Sequence, residues 1–440
     1  MMLSGWGRFP RQECRTSRPR DEAELRAALA QGGAIARGNG RSYGDSALSP
    51  RNTVDMRGWS RMLDFEPDTG RLVAEAGVVL GDVVAAFLPR GWFPSVTPGT
   101  KFVTLGGMIA ADVHGKNHHR DGSFGAFVDW IDVMGPDGEV TRCSRDESPD
   151  LFHWTLGGMG LTGVILRAAF RLRRVESAWI RQTMVPAPGL DAAIDAMEAA
   201  RDSTYSVAWI DCLSRGEALG RSLVMLGEHA AWDDLDRTRR DAPFVIPERR
   251  RLRVPMDLPS VVLGGASLRA FNALYYRNGA RKRGESLVDW DGFFYPLDAI
   301  HDWNRIYGRR GFAQFQCVLP LDASRHGMRA LLRAISDAGT GSFLAVLKRL
   351  GPGGAGMSFP MEGYTLALDF PVTEANLRLL DGLDRIVLDH GGRFYLAKDS
   401  RMTRATLRRA DPRADLFQRL RQELRMTPSF ASAQSERLGL

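Results

Sequence analysis

Apolar positions over the first 175 residues follow two spacings, one helical and one extended. Helical spacing predicts helices over 21–31 and 80–88, with Gly32-Gly33 and Pro89 as stop signals. β-Branched residues and partial alternation predict strands, which lie at 34–37, 53–56, 72–76, 128–134 and 164–172. Strand, glycine turn and short helix therefore recur through this part of the chain.

The pattern changes near residue 179, where glycine thins out and tryptophan and tyrosine appear. Cleaner alternation predicts strands at 205–210, 343–348 and 364–370, and amphipathic spacing predicts helices at 321–338 and 374–388. Residues 236–290 are rich in Arg, Pro and Gly with weak periodicity, which predicts long surface loops. We therefore expect a structural boundary near residue 179.

Composition limits the class of protein. Of the 440 residues, 44% are hydrophobic and 25% are charged, which are ordinary globular values and exclude a disordered or collagen-like chain. The net charge is +7, but the basic residues are scattered among acids, which favours a solvated surface over binding of nucleic acid. No apolar run reaches the ~18 residues of a membrane span, and the N-terminus lacks the apolar core of a signal peptide. We therefore expect a cytoplasmic protein.

The first glycine cluster, Gly38-Asn39-Gly40-Arg41-Ser42-Tyr43-Gly44-Asp45, follows a predicted strand. Glycines let backbone amides approach a ligand and point together, and such a nest suits a diphosphate. A tight structural turn explains the pattern at least as well. The cluster is neither the dinucleotide GxGxxG fingerprint nor a P-loop, because the spacing differs and no Gly-Lys-Ser/Thr follows.

A second cluster, between residues 98 and 119, packs small residues, hydroxyls and amides around an apolar core. Residues 105–111 fit the start of a closely packed helix, whose free amides favour a phosphate. His114, His118 and His119 suggest a metal, but two are adjacent, HExxH is absent and no carboxylate lies at ligand spacing. We therefore expect no metal here.

Two further clusters, at 157–163 and 391–401, complete the set; a tight loop before a strand is an alternative for the third. Together the four clusters resemble the FAD-linked oxidases of the vanillyl-alcohol-oxidase type. Four motifs narrow the resemblance to the decaprenylphosphoryl-β-D-ribose 2-oxidase family. These motifs are His114-Gly115-Lys116-Asn117-His118-His119, Gly40-Arg41-Ser42-Tyr43-Gly44-Asp45, Trp303-Asn304-Arg305-x-Tyr307-Gly308 and Ala397-Lys398-Asp399-Ser400-Arg401.

This resemblance implies an α+β fold. A two-lobed FAD-binding domain would span 1–178, a substrate domain with a large antiparallel sheet and flanking helices 179–392, and a segment completing the FAD-binding domain 393–440. Tyr43 stands where many relatives tether FAD through a histidine, so we expect FAD without a covalent link. The implied FAD-binding residues are Arg37, Gly38, Asn39, Gly40, Arg41, Ser42, Tyr43, Asp45, Pro98, Gly99, Thr100, Thr104, Leu105, Gly106, Gly107, Ala110, His114, Gly115, Asn117, His118, Ser123, Gly163, Val164, Tyr395 and Lys398.

The resemblance also implies oxidation of the 2-hydroxyl of a polyprenyl-phosphoryl-β-D-ribose by hydride transfer to flavin N5. Lys398 is the leading catalytic residue, since an ammonium there can fix the sugar hydroxyl and stabilise a developing alkoxide. His114 is the second, as a hydroxyl or phosphate contact. The expected substrate contacts are Gln314, Gln316, Lys348, Thr365, Ala367, Trp209 and Arg305. Some relatives carry Asn at the position of Thr365 and Cys at the position of Ala367. The change at Thr365 alters one expected sugar contact and leaves the identity of the pentose open.

A lipid-linked substrate requires contact with a lipid surface. Arg249–Arg251 and Arg253, with Val261–Leu263 nearby, fit anionic headgroups, and a solvated loop fits them equally well. The resemblance further implies an NAD(P)H-dependent reductase partner that completes a 2-epimerisation to the arabinose form. Two alternatives stay open: an oxidase of a free sugar or polyol using molecular oxygen, and a flavin-binding or scaffold protein without turnover.

Overall fold

Sheets and helices of the computed structural model are described for residues 1–249, 252–258, 264–342 and 344–440. The strands in these ranges are β1 (Met2–Ser4), β2 (Arg11–Glu13), β3 (Thr16–Ser17), β4 (Ala34–Arg37), β5 (Asn52–Asp55), β6 (Met62–Glu66), β7 (Arg71–Glu75), β8 (Trp92–Pro94), β9 (Val128–Met134), β10 (Val140–Ser144), β11 (Val164–Arg174), β12 (Trp179–Ala187), β13 (Tyr205–Ile210), β14 (Ser222–His229), β15 (Leu252–Arg253), β16 (Gly284–Asp289), β17 (Ile300–His301), β18 (Phe312–Pro320), β19 (Val346–Leu350), β20 (Gly363–Pro371) and β21 (Arg393–Phe394). The α-helices are α1 (Glu22–Leu29), α2 (Leu80–Phe87), α3 (Leu105–Ala110), α4 (His118–Asp121), α5 (Pro149–Thr155), α6 (Leu190–Ala199), α7 (Arg237–Arg240), α8 (Gly265–Ala280), α9 (Trp290–Phe294), α10 (Leu321–Ala338), α11 (Glu374–Asp389), α12 (Arg404–Ala410), α13 (Arg413–Glu423) and α14 (Ala433–Leu438).

The first lobe is a small parallel sheet, ordered β3-β5-β4. Helix α1 begins at Asp21, whose side chain caps the amide of Glu24 at 2.8 Å. The helix buries Leu25 and Leu29 against this sheet in an apolar core that also takes in Phe430 from the far end of the chain. Ala34 forms a parallel bridge with Phe430, so the C-terminal residues extend the lobe.

The second lobe is an antiparallel sheet, ordered β10-β9-β11-β7-β6, with β8 added on β11. Helices α2 and α3 bury Leu80, Val83 and Met108 in the apolar core of this sheet. The sequence-predicted strands at 128–134 and 164–172 are β9 and β11, and the helix predicted at 80–88 is α2 followed by a 3₁₀ turn at the proline. Partial alternation was therefore a sound signal in this glycine-rich region.

The largest sheet has eight strands in the order β16-β12-β14-β13-β19-β20-β18-β21. Successive side chains on a strand point to opposite faces. One face buries Phe315, Leu347 and Leu366 against helices α6, α10 and α11. The other face carries the residues between them, which include the polar residues Gln314 and Gln316 on β18 and Thr365 and Asp369 on β20. The predicted α+β class with a large antiparallel sheet is confirmed.

The C-terminal segment returns to the first lobe after the large sheet. The amide of Tyr43 donates to the carbonyl of Ala397 at 2.9 Å. Arg437 on α14 bonds Asp45 at 2.7 Å and Asp399 at 2.8 Å, so one guanidinium joins the first glycine cluster to the segment. Strand β21 still pairs with β18, two residues past the boundary expected at 392. The domain boundaries themselves remain a prediction.

The expectation of long loops over 236–290 is wrong for much of that range. It contains the 16-residue helix α8 and the strand β16. Apolar periodicity is weak on α8 because this helix buries a polar residue, Asn272, and leaves apolar residues exposed. The strand predicted at 343–348 lies at β19, about two residues later, and Phe343 lies outside the described residues.

Candidate active site

A cavity of about 440 Å³ lies between the glycine clusters and the polar face of the large sheet. Its size falls in the range of small-molecule and cofactor sites. The wall is formed by loops of the first and second lobes, by strands β13, β18, β19 and β20, and by the turn at residues 395–398. Residues of all four glycine clusters line the cavity.

The first glycine cluster forms one end of the cavity. Among the described residues, the amides of Asn39, Gly40, Arg41 and Ser42 have no protein acceptor. A Cβ at Gly38 would lie 2.1 Å from the Thr104 hydroxyl, so only glycine fits there. Four adjacent free donors on a concave wall fit the diphosphate of a dinucleotide. This observation supports binding of FAD at this end.

The second glycine cluster lies beside the first. Gly99 faces open space, and Gly106 packs so tightly that a Cβ would meet the Ala76 side chain at 2.9 Å. Asp298 accepts from the Lys101 amide at 2.8 Å and fixes the loop before α3. The two clusters therefore form a continuous backbone-lined trough.

Lys398 lies where the trough meets the sheet. Its Nζ is 3.5 Å from the centroid of the Tyr43 ring. Burial lowers the pKa of Lys398 to about 7, the Asp369 carboxylate opposes that shift, and Lys348 adds to it. Burial likewise lowers the pKa of Lys348, to about 8. Both amines are therefore able to lose a proton near neutral pH.

His114 contacts the sheet directly. The Gln316 side-chain amide lies 3.1 Å from His114 Nε2 and donates to the Thr365 hydroxyl at 3.3 Å. Burial, and then the nearby Lys348, hold the pKa of His114 well below its usual range, so the imidazole is neutral. Its buried Nδ1 has no hydrogen-bond partner among the described residues. His114 therefore retains one ring nitrogen for a ligand.

Strand register aligns the polar face of the sheet. Gln316 pairs with Ala367, which pairs with Val346, which in turn pairs with Trp209 across four strands. The next pair on the same face of β18 and β20 is Gln314 and Asp369. The side-chain amide of Gln314 donates to the Asp369 carboxylate at 2.6 Å. Polar groups thus cluster beside Lys398, and apolar ones extend towards Trp209.

Most sequence-predicted site residues line this one cavity. Those in its wall are Gly38, Asn39, Gly40, Arg41, Ser42, Tyr43, Pro98, Gly99, Thr100, Thr104, Gly106, Gly107, Ala110, His114, Gly115, Gly163, Tyr395 and Lys398, with Gln314, Gln316, Lys348, Ala367 and Trp209 from the substrate set. Residues up to 360 positions apart in the chain are therefore brought together, although their individual roles remain predictions.

The other predicted residues lie behind the wall, and for them we now expect supporting roles. Arg37 donates to the Ser4 carbonyl at 2.8 Å, and Asp45 is bound to Arg437. Arg305 bonds Asp257 at 3.3 Å, and the Thr365 hydroxyl bonds Gln316. Each of these polar groups already has a protein partner, so it holds a neighbour of the cavity in place.

The remaining five residues, Leu105, Asn117, His118, Ser123 and Val164, are buried. Leu105 and Val164 lie in apolar cores. The Asn117 amide donates to the Ser95 carbonyl at 2.8 Å. His118 accepts from the Gly351 amide at 3.1 Å and donates to Ser123 at 3.2 Å; burial lowers its pKa to about 3. Both ring nitrogens of His118 are used, which favours a structural histidine.

Sequence reasoning missed several lining residues. Asp369 has the same strand parity as Ala367, so it could have been found from the alternation that selected Ala367. Lys116 lies in the quoted histidine motif and lines the cavity. The lining residues between Phe294 and Asp302 carry no local signal, because only tertiary packing brings them to the wall, whereas Trp303 belongs to one of the quoted motifs.

In the described ranges, no group of three or more His, Cys, Asp or Glu side chains is arranged to hold a metal ion. Within the same ranges, no helix has the length and apolar character needed to cross a membrane.

The trough, the buried amines and the polar sheet face together define an FAD-dependent oxidoreductase, and comparisons with known proteins agree. The family described as FAD binding domain matches residues 16–144. Decaprenylphosphoryl-β-D-ribose oxidase of Mycolicibacterium smegmatis is 37% identical, over 100% of this chain and 97% of its own length. The chain belongs to the decaprenylphosphoryl-β-D-ribose oxidase family.

Two other relatives show how far the likeness extends. An uncharacterised Streptomyces coelicolor protein from the mprA 5′ region is 34% identical over 82% of this chain and 100% of its own length. Cytokinin dehydrogenase 5 of Arabidopsis thaliana is 32% identical, over 33% of this chain and 28% of its own length. Likeness to the dehydrogenase is therefore limited to part of each chain.

Proposed function

We propose that this enzyme oxidises the 2-hydroxyl of a polyprenyl-phosphoryl-β-D-ribose to the 2-keto sugar. The observation that carries the proposal is that Lys398 lines the cavity together with the paired side chains of His114 and Gln316, close enough for its charge to act on His114. The named relative from M. smegmatis supports the choice of a lipid-linked ribose.

The chemistry is removal of a hydride from the carbon and a proton from the hydroxyl of a secondary alcohol. When bound, FAD supplies the hydride acceptor, at flavin N5. Lys398, as the neutral amine that its lowered pKa makes available, accepts the hydroxyl proton at Nζ. The resulting ammonium then lies against the Tyr43 ring, where positive charge is favoured.

Neighbouring residues orient the sugar. His114 offers its free ring nitrogen to a hydroxyl, and Gln314 and Gln316 read hydroxyls from the sheet face. Lys348 supplies a positive charge suited to the substrate phosphate. Apolar residues around Trp209 and Val346 exclude water from this end of the cavity.

A keto sugar formed this way requires a reduction to complete an epimerisation. An NAD(P)H-dependent reductase partner would deliver hydride to the opposite face and give the arabinose form. A polyprenyl chain does not leave a bilayer unaided, at ~0.8 kcal/mol per exposed CH₂, so the enzyme must approach a membrane surface from the cytoplasm.

An oxidase of free sugars using molecular oxygen is the second candidate. The polar residues of the cavity suit a free sugar and a lipid-linked sugar equally well. The apolar wall beside Trp209 and Tyr275, however, is larger than a free pentose needs. The lipid-linked substrate is therefore the better fit.

Product analysis tests the proposal. The enzyme is incubated with polyprenyl-phosphoryl-β-D-ribose and an artificial electron acceptor, and the product is reduced with borodeuteride. Deuterium at C2, in a mixture of ribose and arabinose, is expected. Deuterium at another carbon, or none, contradicts the proposed reaction. Free ribose and an alditol serve as control substrates. Neither should gain deuterium at C2, and free ribose should be labelled only at C1, where borodeuteride reduces its aldehyde.

A further inference from the structure

One side of helix α8 packs on the large sheet. Leu268 is buried, and Asn272 donates to Asp211 at 2.8 Å. The Tyr276 hydroxyl donates to the Ala187 carbonyl at 3.3 Å, and a Cβ at Gly279 would clash with Leu223. This inner side fixes the helix rigidly against the sheet.

The outer side is apolar and exposed. We name it the α8 face: Phe271, Leu274 and Tyr275, which are 43%, 60% and 43% exposed. These positions recur at helical spacing, so they form one continuous stripe. Exposed large apolar side chains grouped in this way mark a contact surface, whereas single ones do not.

The α8 face continues into the cavity. The Tyr275 ring stacks on the Phe271 ring, with the two centroids 5.8 Å apart, and its centroid lies 4.7 Å from that of the Trp209 ring. Tyr275 and Trp209 both line the cavity wall. The rings of Phe271, Tyr275 and Trp209 therefore form a continuous aromatic surface from the α8 face to the cavity wall.

Charge around the α8 face is of one sign. Residues 264–284 hold five basic residues and no Asp or Glu, although the whole chain is nearly balanced at 59 basic to 52 acidic residues. The five are Arg269, Arg277, Arg281, Lys282 and Arg283, and all are exposed. Among the residues that the structure describes, none of the five has an acidic partner within 4.0 Å. This surface is complementary to an anionic one.

The arginines first suspected from the sequence are less suited to that role. Arg249 bonds Asp289 at 2.7 Å, and Arg253 bonds Asp302 at 3.1 Å. Arg250, Arg251 and Val261–Leu263 lie outside the described residues. The described part of that run is thus already neutralised by acids.

We propose that the α8 face docks on the surface of an anionic lipid bilayer, with the aromatic and Leu side chains among the acyl chains and the cations at the headgroups. A basic amphipathic helix with aromatic residues on its apolar side is suited to such an interface. This docking rests on the proposed lipid-linked substrate for its purpose, and it places the cavity mouth against the bilayer.

Vesicle sedimentation tests the docking with the FAD-loaded full chain. Vesicles contain phosphatidylcholine alone, or phosphatidylcholine with phosphatidylglycerol. Phe271→Ser/Leu274→Ser should lower partitioning onto the anionic vesicles by about tenfold or more, since two apolar side chains lose burial. Arg281→Ser/Lys282→Ser/Arg283→Ser should also lower it, and high salt should do so for the wild type.

The matched control is Leu416→Ser/Leu424→Ser, which alters equally exposed leucines at α13 (48% and 45% exposed). It should bind vesicles as the wild type does. The docking is overturned if the wild type ignores anionic vesicles, if the α8 variant binds normally, or if the α13 control loses binding equally. Flavin absorbance and thermal unfolding of each variant show that it is folded.

A second readout separates this docking from the proposed function. A water-soluble short-chain polyprenyl-phosphoryl ribose should be oxidised equally by the wild type and the Phe271→Ser/Leu274→Ser variant. Long-chain substrate in anionic vesicles should be oxidised more slowly by the variant alone. If neither protein oxidises either substrate, the proposed function fails while the vesicle result still decides the docking.

Discussion

The charge on Lys398 results from opposing influences at a single residue. Burial favours the neutral amine, the Asp369 carboxylate favours the ammonium, and Lys348 again favours the amine. A pKa near neutrality is what a group needs if it is to accept a proton in one step and release it in the next. The proposed chemistry therefore depends mainly on the Lys398 side chain.

Removal of the amine is the simplest test of that role. Lys398→Ala should bind FAD and fold normally but reduce it ~10²–10⁴-fold more slowly with substrate, the usual contribution of one positioned acid–base group. Rapid-mixing absorbance of the flavin measures the rate. A variant with normal FAD content and a loss under about fivefold, below that range, contradicts the role.

The pH dependence of flavin reduction tests the environment of Lys398. The amine is the active form, so the rate should rise with pH through the lowered pKa of about 7 and then level off. Asp369→Asn removes a charge that favours the ammonium, so its midpoint should move to lower pH. Lys348→Met removes a cation, so its midpoint should move to higher pH. Shifts in the same direction, or none, contradict this reading.

Tyr43 governs a separate prediction, the linkage of FAD. Its ring lies against Lys398 in the first glycine cluster and offers no imidazole for a tether. Cys143 is an unsuitable substitute, because it is buried away from the cavity and burial raises its pKa to about 12. Acid precipitation should therefore leave the yellow colour in the supernatant. Colour in the pellet would contradict this prediction and would point to a histidine of the cavity wall, His114 or His301.

At the scale of elements, local patterns and tertiary packing account for different parts of the molecule. Helix α11 and strand β20 follow their sequence patterns closely. Helix α11 has one clear buried face, and β20 alternates apolar core residues such as Leu366 and Leu368 with Thr365 and Asp369 on its other face. Helix α8 does not follow its sequence pattern, since its outer stripe is apolar although exposed. The site divides in the same way: the glycine clusters carry a local signal, whereas residues 294–302 reach the wall only through packing.

The contact between α14 and the first glycine cluster is also open to test. Arg437→Met would leave Asp45 and Asp399 buried without their cation, and each carboxylate is under 10% exposed. Because Arg437 itself is a quarter exposed, we expect a loss of about 3 kcal/mol in the free energy of unfolding, at the low end for a broken buried pair.

Thermal and denaturant unfolding, with FAD release as a second signal, measure this loss. The control is Arg378→Met, whose partner Glu374 and own side chain are both largely exposed, and its effect should stay under ~1 kcal/mol. FAD affinity should fall in the Arg437 variant alone. Equal effects of the two substitutions would contradict the proposed bridging role.

At the scale of the whole molecule, one cavity depends on both ends of the chain. The first three glycine clusters come from residues 38–163, the sheet face from residues 205–371, and the lysine from the C-terminal segment. The chain is similar to the M. smegmatis oxidase over its full length, which is consistent with a cavity whose wall needs residues from both ends of the chain. The central claim is that this cavity oxidises a lipid-linked ribose.

Anaerobic reduction of the bound FAD tests that claim most directly. The purified enzyme is mixed without oxygen with polyprenyl-phosphoryl-β-D-ribose in detergent, with free ribose, or with an alditol, and the yellow absorbance is followed. We predict rapid bleaching by the lipid-linked ribose and no comparable bleaching by the free sugars. Persistent colour with the lipid-linked ribose, or equal bleaching by free ribose, would contradict the account.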